Sequence, residues 1–286
     1  MTEFESIVIG KSAVPALVIT VILMLIIPLS FFIVWRKKHK RETKLAYLIV
    51  GAVGFLVSAR VLELGVHYLC ILADNPVSRF LNASTAAYVL YGISMAGIFE
   101  ECGRYIILKY VMKKNRTREN AVLYGIGHGG IEILAVILPT MTLYLVAAVL
   151  FSKGNIENAL STLKITEETA ASALPSVQAA AAFDFAVMAM NVLERLLAMF
   201  VHVGLTFIVY YSVENAKKAF LSAAILLHML VDTFPALYQR GVVPLWTVEL
   251  WAALWTAVIV FIAIRLYRNE QKKAESLHLP DCEDSL

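Results

Sequence analysis

Apolar stretches of about 20 residues alternate with short polar segments along most of the chain, and about 20 apolar residues are what a helix needs to cross a bilayer. The stretches of this kind are 13–35, 46–72, 85–112, 121–151, 183–213, 219–236 and 246–267. This pattern predicts an all-α membrane protein, a polytopic bundle of about seven transmembrane helices. Pro139, inside the fourth stretch, predicts a kink or a break there.

The composition agrees with that class of protein. Hydrophobic residues make up 59% of the 286 residues and charged residues only 16%, whereas about a quarter of the residues in a soluble domain are charged. We therefore expect residues 1–268 to form a single transmembrane domain in a lipid bilayer. The polar residues 269–286 are expected to form a disordered tail.

Basic residues mark alternate ends of the predicted helices. They cluster at 36–44, 109–118, 217–218 and 265–273, and the intervening loops carry few of them. The positive-inside rule then places the N-terminus outside and the C-terminus in the cytoplasm. Because this topology accounts for the basic clusters, we expect no binding to nucleic acid.

The long connection from about Ser152 to Ala182 is expected on the outer face. It contains a signal for a capped surface helix that starts near Thr166. A mobile loop is the alternative interpretation of this segment.

Ionisable residues interrupt four of the predicted transmembrane helices at a similar depth, roughly 10–20 Å from the cytoplasmic ends. They are Glu100, Glu101 and Arg104 in the third helix, His128 and Glu132 in the fourth, His202 in the fifth, and His228 and Asp232 in the sixth. Such residues are costly inside a bilayer unless they are partnered, and they usually mark function. Residues four apart share a helix face, so the pattern predicts one buried polar site.

The histidines of this group are candidate metal ligands. Zinc prefers nitrogen and oxygen donors in a tetrahedral arrangement, and His128, His202 and His228 are expected at one level in the bilayer. Nearby carboxylates would orient the imidazole rings. We therefore predict a zinc site, with a site that uses no metal as the alternative.

Four motifs follow one another between Phe99 and Asp232. They are Phe99-Glu100-Glu101-Cys102-Gly103-Arg104, the segment 124–132 around His128, the segment 200–204 around His202, and His228-Met229-Leu230-Val231-Asp232. In this order they resemble the motifs of the PrsW-like and YhfC-like intramembrane peptidases, which belong to the clan of CAAX prenyl proteases and bacteriocin-processing proteins. The overall pattern is most similar to the YhfC-like group.

The resemblance implies hydrolysis of a peptide bond inside the membrane, in the bacterial plasma membrane, by a metal-bound or glutamate-activated water. The substrate would be a membrane-embedded or membrane-proximal peptide or protein. The second motif supplies His128 when it is aligned on Tyr124, and Glu132 when it is aligned four residues further on, so both residues remain candidates.

The chemistry of peptide hydrolysis suggests roles for the other residues. Glu100 or Glu101 would act as general base or acid, with Arg104 restraining the other carboxylate. If no metal binds, Glu100 with His128 or Glu132 would activate water directly. His228 and Asp232 would then stabilise the oxyanion.

Three other classes of protein fit a buried polar cluster. A proton-coupled transporter or channel would use it as a relay, but the chain shows no clear inverted repeat of the kind transporters carry. A haem protein with histidine axial ligands is disfavoured by the two adjacent carboxylates. A non-enzymatic membrane scaffold is the third.

Overall fold

Seven long helices correspond to the seven predicted transmembrane segments in the computed structural model, which describes residues 2–278. They are α1 Ala13–Lys38, α2 Ala46–Leu72, α3 Thr85–Ile106, α4 Arg118–Ser152, α5 Phe185–Glu214, α6 Ala219–Gln239 and α7 Leu245–His278. All regular secondary structure within the described residues is helical. The prediction of an all-α membrane protein is confirmed.

Within the described residues, six of these helices are long and apolar enough to cross a membrane by their length and composition. The exception is α3, which a π-helical turn continues over Ile107–Val111. Two glutamates and an arginine in its second half lower its average hydropathy. The long helix that is not apolar enough by this criterion is thus α3, which carries Glu100, Glu101 and Arg104.

Helix α4 changes its hydrogen-bond pattern close to the predicted kink. A π-helical turn over Ile133–Ile137 separates the α-helical segments Arg118–Glu132 and Leu138–Ser152, and Pro139 stands in the first turn of the latter. Proline lacks an N–H and crowds the carbonyl one turn earlier, so a wider turn before Pro139 is its physical consequence. Helix α2 contains π-helical turns as well, over Leu56–Glu63 and Tyr68–Leu72.

Short helices lie between the long ones. They are Thr2–Glu5, Pro76–Ala83, Ile156–Thr162 and Glu167–Ala181, with a 3-10 turn at Lys113–Asn115. The predicted helix start near Thr166 is confirmed, because the Thr166 N–H donates to Thr169 Oγ1 at 2.9 Å as Glu167–Ala181 begins. Such caps satisfy N–H groups that have no partner within the helix.

Helix α7 extends further than predicted. It continues to His278, so residues 269–278, which we expected to begin a disordered tail, are helical. The lysine-rich stretch up to residue 273 consists of good helix formers, which explains the extension. The remaining residues of the predicted tail, 279–286, lie outside the described range.

The chain divides into two compact units by its contacts. The first contains the chain up to Ser30 together with Ile131–Leu196, and the second contains Phe31–Gly130 and the chain from Leu197 onward. Buried apolar side chains form the core of the first unit: Ala13, Ala16, Leu17, Met141, Ala148 and Phe183 in one cluster, and Phe4, Phe151, Ala159, Leu160 and Val177 in another. The single domain expected over 1–268 stays a prediction.

Glycines bring α2 and α4 into backbone contact in the second unit. A Cβ added to Gly127 would lie 2.0 Å from the carbonyl oxygen of Leu48, and one added to Gly51 would lie 2.0 Å from that of Tyr124. Small residues at such crossings let helices approach closely in a membrane. No side chain fits at either position unless the two helices separate.

We predict that Gly127→Ala destabilises the protein by about 1–3 kcal/mol, because the new methyl group must push Leu48 away. Gly92→Ala is the matched control, since a Cβ at this helical glycine meets nothing within 4 Å and alanine favours a helix. Thermal unfolding of both variants in detergent measures the difference. Equal unfolding temperatures for the two variants would contradict the close packing of α2 and α4.

Candidate functional site

Helix α3 places two carboxylates around one guanidinium. Arg104 Nη2 donates to Glu100 Oε2 at 2.9 Å, and Arg104 Nη1 donates to Glu101 Oε1. Arg104 and Glu101 are fully buried, and Glu100 is 7% exposed. Because a buried charge is stable only when it is paired and hydrogen-bonded, the two carboxylates and the guanidinium stabilise one another inside the protein.

Two histidines from other helices join the Glu100 side of this group. His128 Nε2, from α4, lies 2.9 Å from Glu100 Oε2. His202 Nδ1, from α5, lies 2.6 Å from Arg104 Nη2 and 3.9 Å from Glu100 Oε2. An arginine has donors only, so His202 Nδ1 accepts this hydrogen bond.

His228, from α6, lies on the Glu101 side. Its Nδ1 is 2.7 Å from Glu101 Oε1, and its Nε2 is 3.3 Å from Asp232 Oδ2, one turn further along α6. Both nitrogens of this ring therefore face carboxylates. The predicted stacking of His228 with Asp232, four residues apart, is confirmed.

Seven of the eight predicted site residues belong to the second unit, where they form one network. They are Glu100, Glu101, Arg104, His128, His202, His228 and Asp232. The eighth, Glu132, belongs to the first unit, where its Oε1 accepts from Arg195 Nη1 at 2.9 Å. Arg195 also pairs with Glu194.

Small residues explain how four helices approach closely enough to form this network. A Cβ on Gly129, next to His128, would lie 3.0 Å from the ring of His202. A Cβ on Gly97, one turn before Glu100, would lie 3.0 Å from the Ile225 carbonyl oxygen on α6. Gly129 thus lets α4 approach α5 closely, and Gly97 does the same for α3 and α6.

Aromatic residues surround His128. Phe55 stands edge-on to its ring, with centroids 5.2 Å apart and planes at 81°, and the Tyr124 ring centroid is 6.0 Å away. Tyr124 is fully buried, and its hydroxyl has no hydrogen-bond partner among the described residues. Tyr124 joins the site from the same face of α4 as His128, as its position one turn earlier in the sequence indicates.

Glu100, His128 and His202 form a group that could hold a metal ion. Each offers one ligand atom, and the three atoms all lie within 4.8 Å of one another. Two imidazoles and one carboxylate are a donor set found in catalytic zinc sites. This set shares His128 and His202 with the predicted ligands and contains Glu100 in place of His228.

A second group of possible ligands in the described residues is His39, Glu42 and Glu119. Its Glu119 carboxylate lies 3.2 Å from Arg118 Nη2, and the Glu42 side chain is 57% exposed. An arginine at one ligand and an exposed carboxylate at another disfavour cation binding there.

Comparison with known proteins gives the family. Residues 23–252, more than half of the chain, match the model of the YhfC intramembrane metalloprotease family. This chain belongs to the YhfC family. It is 30% identical over 261 residues to the membrane protein YhfC of Bacillus subtilis (strain 168), and the alignment covers 91% of this chain and 98% of that protein.

The resemblance to the YhfC-like group that the four motifs indicated is confirmed, and with it the prediction of an integral membrane protein. The family description is that of a membrane protease. No solved structure matches the chain.

We predict that Arg104→Gln lowers the free energy of unfolding by about 3–5 kcal/mol, because it leaves two buried carboxylates without their countercharge. The double substitution Glu101→Gln/Arg104→Gln removes one charge of each sign, so it should recover part of this loss. Thermal unfolding in lipid nanodiscs measures both. A double variant as unstable as the single one would show that packing, rather than charge, sets the cost.

Proposed function

We propose that this member of the YhfC family is an intramembrane peptidase that hydrolyses a peptide bond with an activated water. The observation that carries the proposal is the contact of Glu100 with His128, beside His202, in a fully helical membrane protein. A carboxylate with histidines is the equipment that water activation requires. The family description supports the same reaction class.

Glu100, His128 and His202 are the residues that would hold a metal ion, which we propose to be zinc. Zinc held there would activate a bound water as the nucleophile and polarise the scissile carbonyl. The orientation of the ligands comes from the protein itself, since Arg104 contacts both Glu100 and His202. Glu132, paired with Arg195, has a structural role in this proposal, and His128 is the functional residue of the second motif.

His228 supplies the proton-handling group. Its ring lies between the Glu101 and Asp232 carboxylates, either of which accepts a hydrogen bond from a ring N–H. In hydrolysis, such a ring donates to the developing oxyanion or to the leaving amine. The Asp232 side chain is 33% exposed, so it provides a route by which the ring regains its proton.

The burial of the site constrains the substrate. The side chains of Glu100, His128 and His202 are at most 9% exposed, so bulk water does not surround the reacting groups. We propose that the substrate is a membrane-embedded or membrane-proximal segment of a peptide or protein. It would reach the site from the predicted cytoplasmic side or laterally between helices.

We predict about one zinc per chain in protein purified without chelators, and its loss in Glu100→Gln, His128→Ala and His202→Ala. His67→Ala is the matched control, because His67 also pairs with a glutamate, at 3.2 Å from Glu63, but lies outside the network. Elemental analysis of the purified proteins measures the zinc. Zinc retained in His128→Ala and His202→Ala would contradict the proposed ligand set, and no zinc in the wild type would favour a glutamate-activated water.

Peptidase activity requires its own test, because metal binding alone does not show hydrolysis. Cells that express the wild type should contain new protein N-termini in the membrane fraction that are absent with Glu100→Gln or His128→Ala and present with His67→Ala. We expect Asp232→Asn to slow cleavage by about 10–100-fold and His228→Ala by more, because Asp232 acts through His228. Identical N-termini in wild type and Glu100→Gln would contradict the peptidase and leave a transporter as the alternative.

A further inference from the structure

The Arg104 guanidinium forms hydrogen bonds with the same atoms that would bind the metal. Its Nη2 is 2.9 Å from Glu100 Oε2 and 2.6 Å from His202 Nδ1, and these two atoms are 3.9 Å from each other. One nitrogen of a cation thus bridges two of the three proposed ligands. His202 Nδ1 uses its only lone pair to accept from Arg104, so it cannot bind a metal through that nitrogen at the same time.

A metal and the guanidinium cannot occupy this place together. With metal–ligand bonds of about 2.1 Å, an ion that joins Glu100 Oε2 to His202 Nδ1 would lie within roughly 3 Å of Arg104 Nη2 at the distances observed. Two cations at that separation in a buried site repel each other strongly. Metal binding through His202 Nδ1 therefore requires the displacement of Arg104 Nη2.

Glu101 provides the position to which the guanidinium can move. Its Oε1 already accepts from Arg104 Nη1, whereas its Oε2 is buried and has no hydrogen-bond partner among the described residues. An unused carboxylate oxygen next to an arginine suits a bidentate pair, in which two parallel N–H groups donate to the two oxygens of one carboxylate. A small rotation of the guanidinium from Glu100 toward Glu101 would satisfy that oxygen.

We propose that Arg104 competes with the catalytic metal for Glu100 and His202. When the metal binds, the Arg104 guanidinium leaves these two residues and pairs with both oxygens of Glu101. This inference rests on the ligand set proposed above. Arg104 then holds Glu100 and His202 in place before the metal arrives, and it weakens the binding of the metal by competing for them. Glu101 determines how easily the guanidinium gives way to the metal. Arg104 is a positioning residue in this scheme, with Glu101 as its second partner.

Zinc affinity tests the exchange without any measure of proteolysis. Metal-depleted protein in detergent is titrated with zinc chloride in a calorimeter. Glu101→Gln/Arg104→Gln should bind zinc about tenfold or more tightly than the wild type, and Glu101→Gln alone about tenfold more weakly, as partners of metal ligands typically change affinity by such factors. Arg116→Gln/Glu214→Gln is the matched control, because it removes another arginine–glutamate pair, at 2.9 Å, and should leave the affinity unchanged.

The outcomes separate this inference from the proposed function. Equal zinc affinity in the wild type and Glu101→Gln/Arg104→Gln, with binding still lost in His202→Ala, would overturn the competition and leave the ligand set standing. No zinc binding in any of these proteins would overturn the ligand set and the inference together.

A measurement on the wild type alone covers the case that a variant fails to fold. Nitrogen-15 spectra of histidine-labelled protein in bilayers, with His202 identified by its absence in His202→Gln, report on Nδ1. Zinc should move this resonance from that of a hydrogen-bond acceptor to that of a metal ligand. An unchanged His202 resonance in zinc-saturated protein would overturn the proposal.

Discussion

Charge compensation by Arg104 is the interaction on which the site depends. An ionised side chain inside a membrane protein costs several kcal/mol unless a partner offsets it, and here one guanidinium serves two carboxylates and a histidine. Each of these groups is held by a hydrogen bond to a charged partner, which is stronger and more directional than a neutral one. These hydrogen bonds hold Glu100 and His202 in position before a metal binds.

Close helix packing is the second condition. Glycines at the crossings of α2 with α4, of α4 with α5 and of α3 with α6 leave no room for a side chain, so the helices meet at distances at which short polar side chains contact one another. Helices in lipid gain little from apolar contact with each other, and small residues with interhelical hydrogen bonds supply much of the specificity. The same glycines therefore serve both the packing of the helices and the geometry of the site.

Much of this was predictable from the sequence. Apolar length located the seven helices, the equal depth of the ionisable residues predicted one site, and the spacing of four paired Glu100 with Arg104 and His228 with Asp232. Contacts between residues of different helices were not predictable, because they depend on how each helix is rotated about its axis by packing. The pairing of Glu132 with Arg195 is one such contact. The approach of His128 and His202 to Glu100 from two other helices is another.

The proposed mechanism depends on one buried metal site formed by Glu100, His128 and His202. X-ray absorption at the zinc edge of zinc-loaded protein in lipid tests it most directly, because it reports the atoms bonded to the metal. We predict two imidazole nitrogens at about 2.0–2.1 Å and oxygen as the other donors, without sulfur. A sulfur ligand, or a zinc ion surrounded by oxygen alone, would contradict the account.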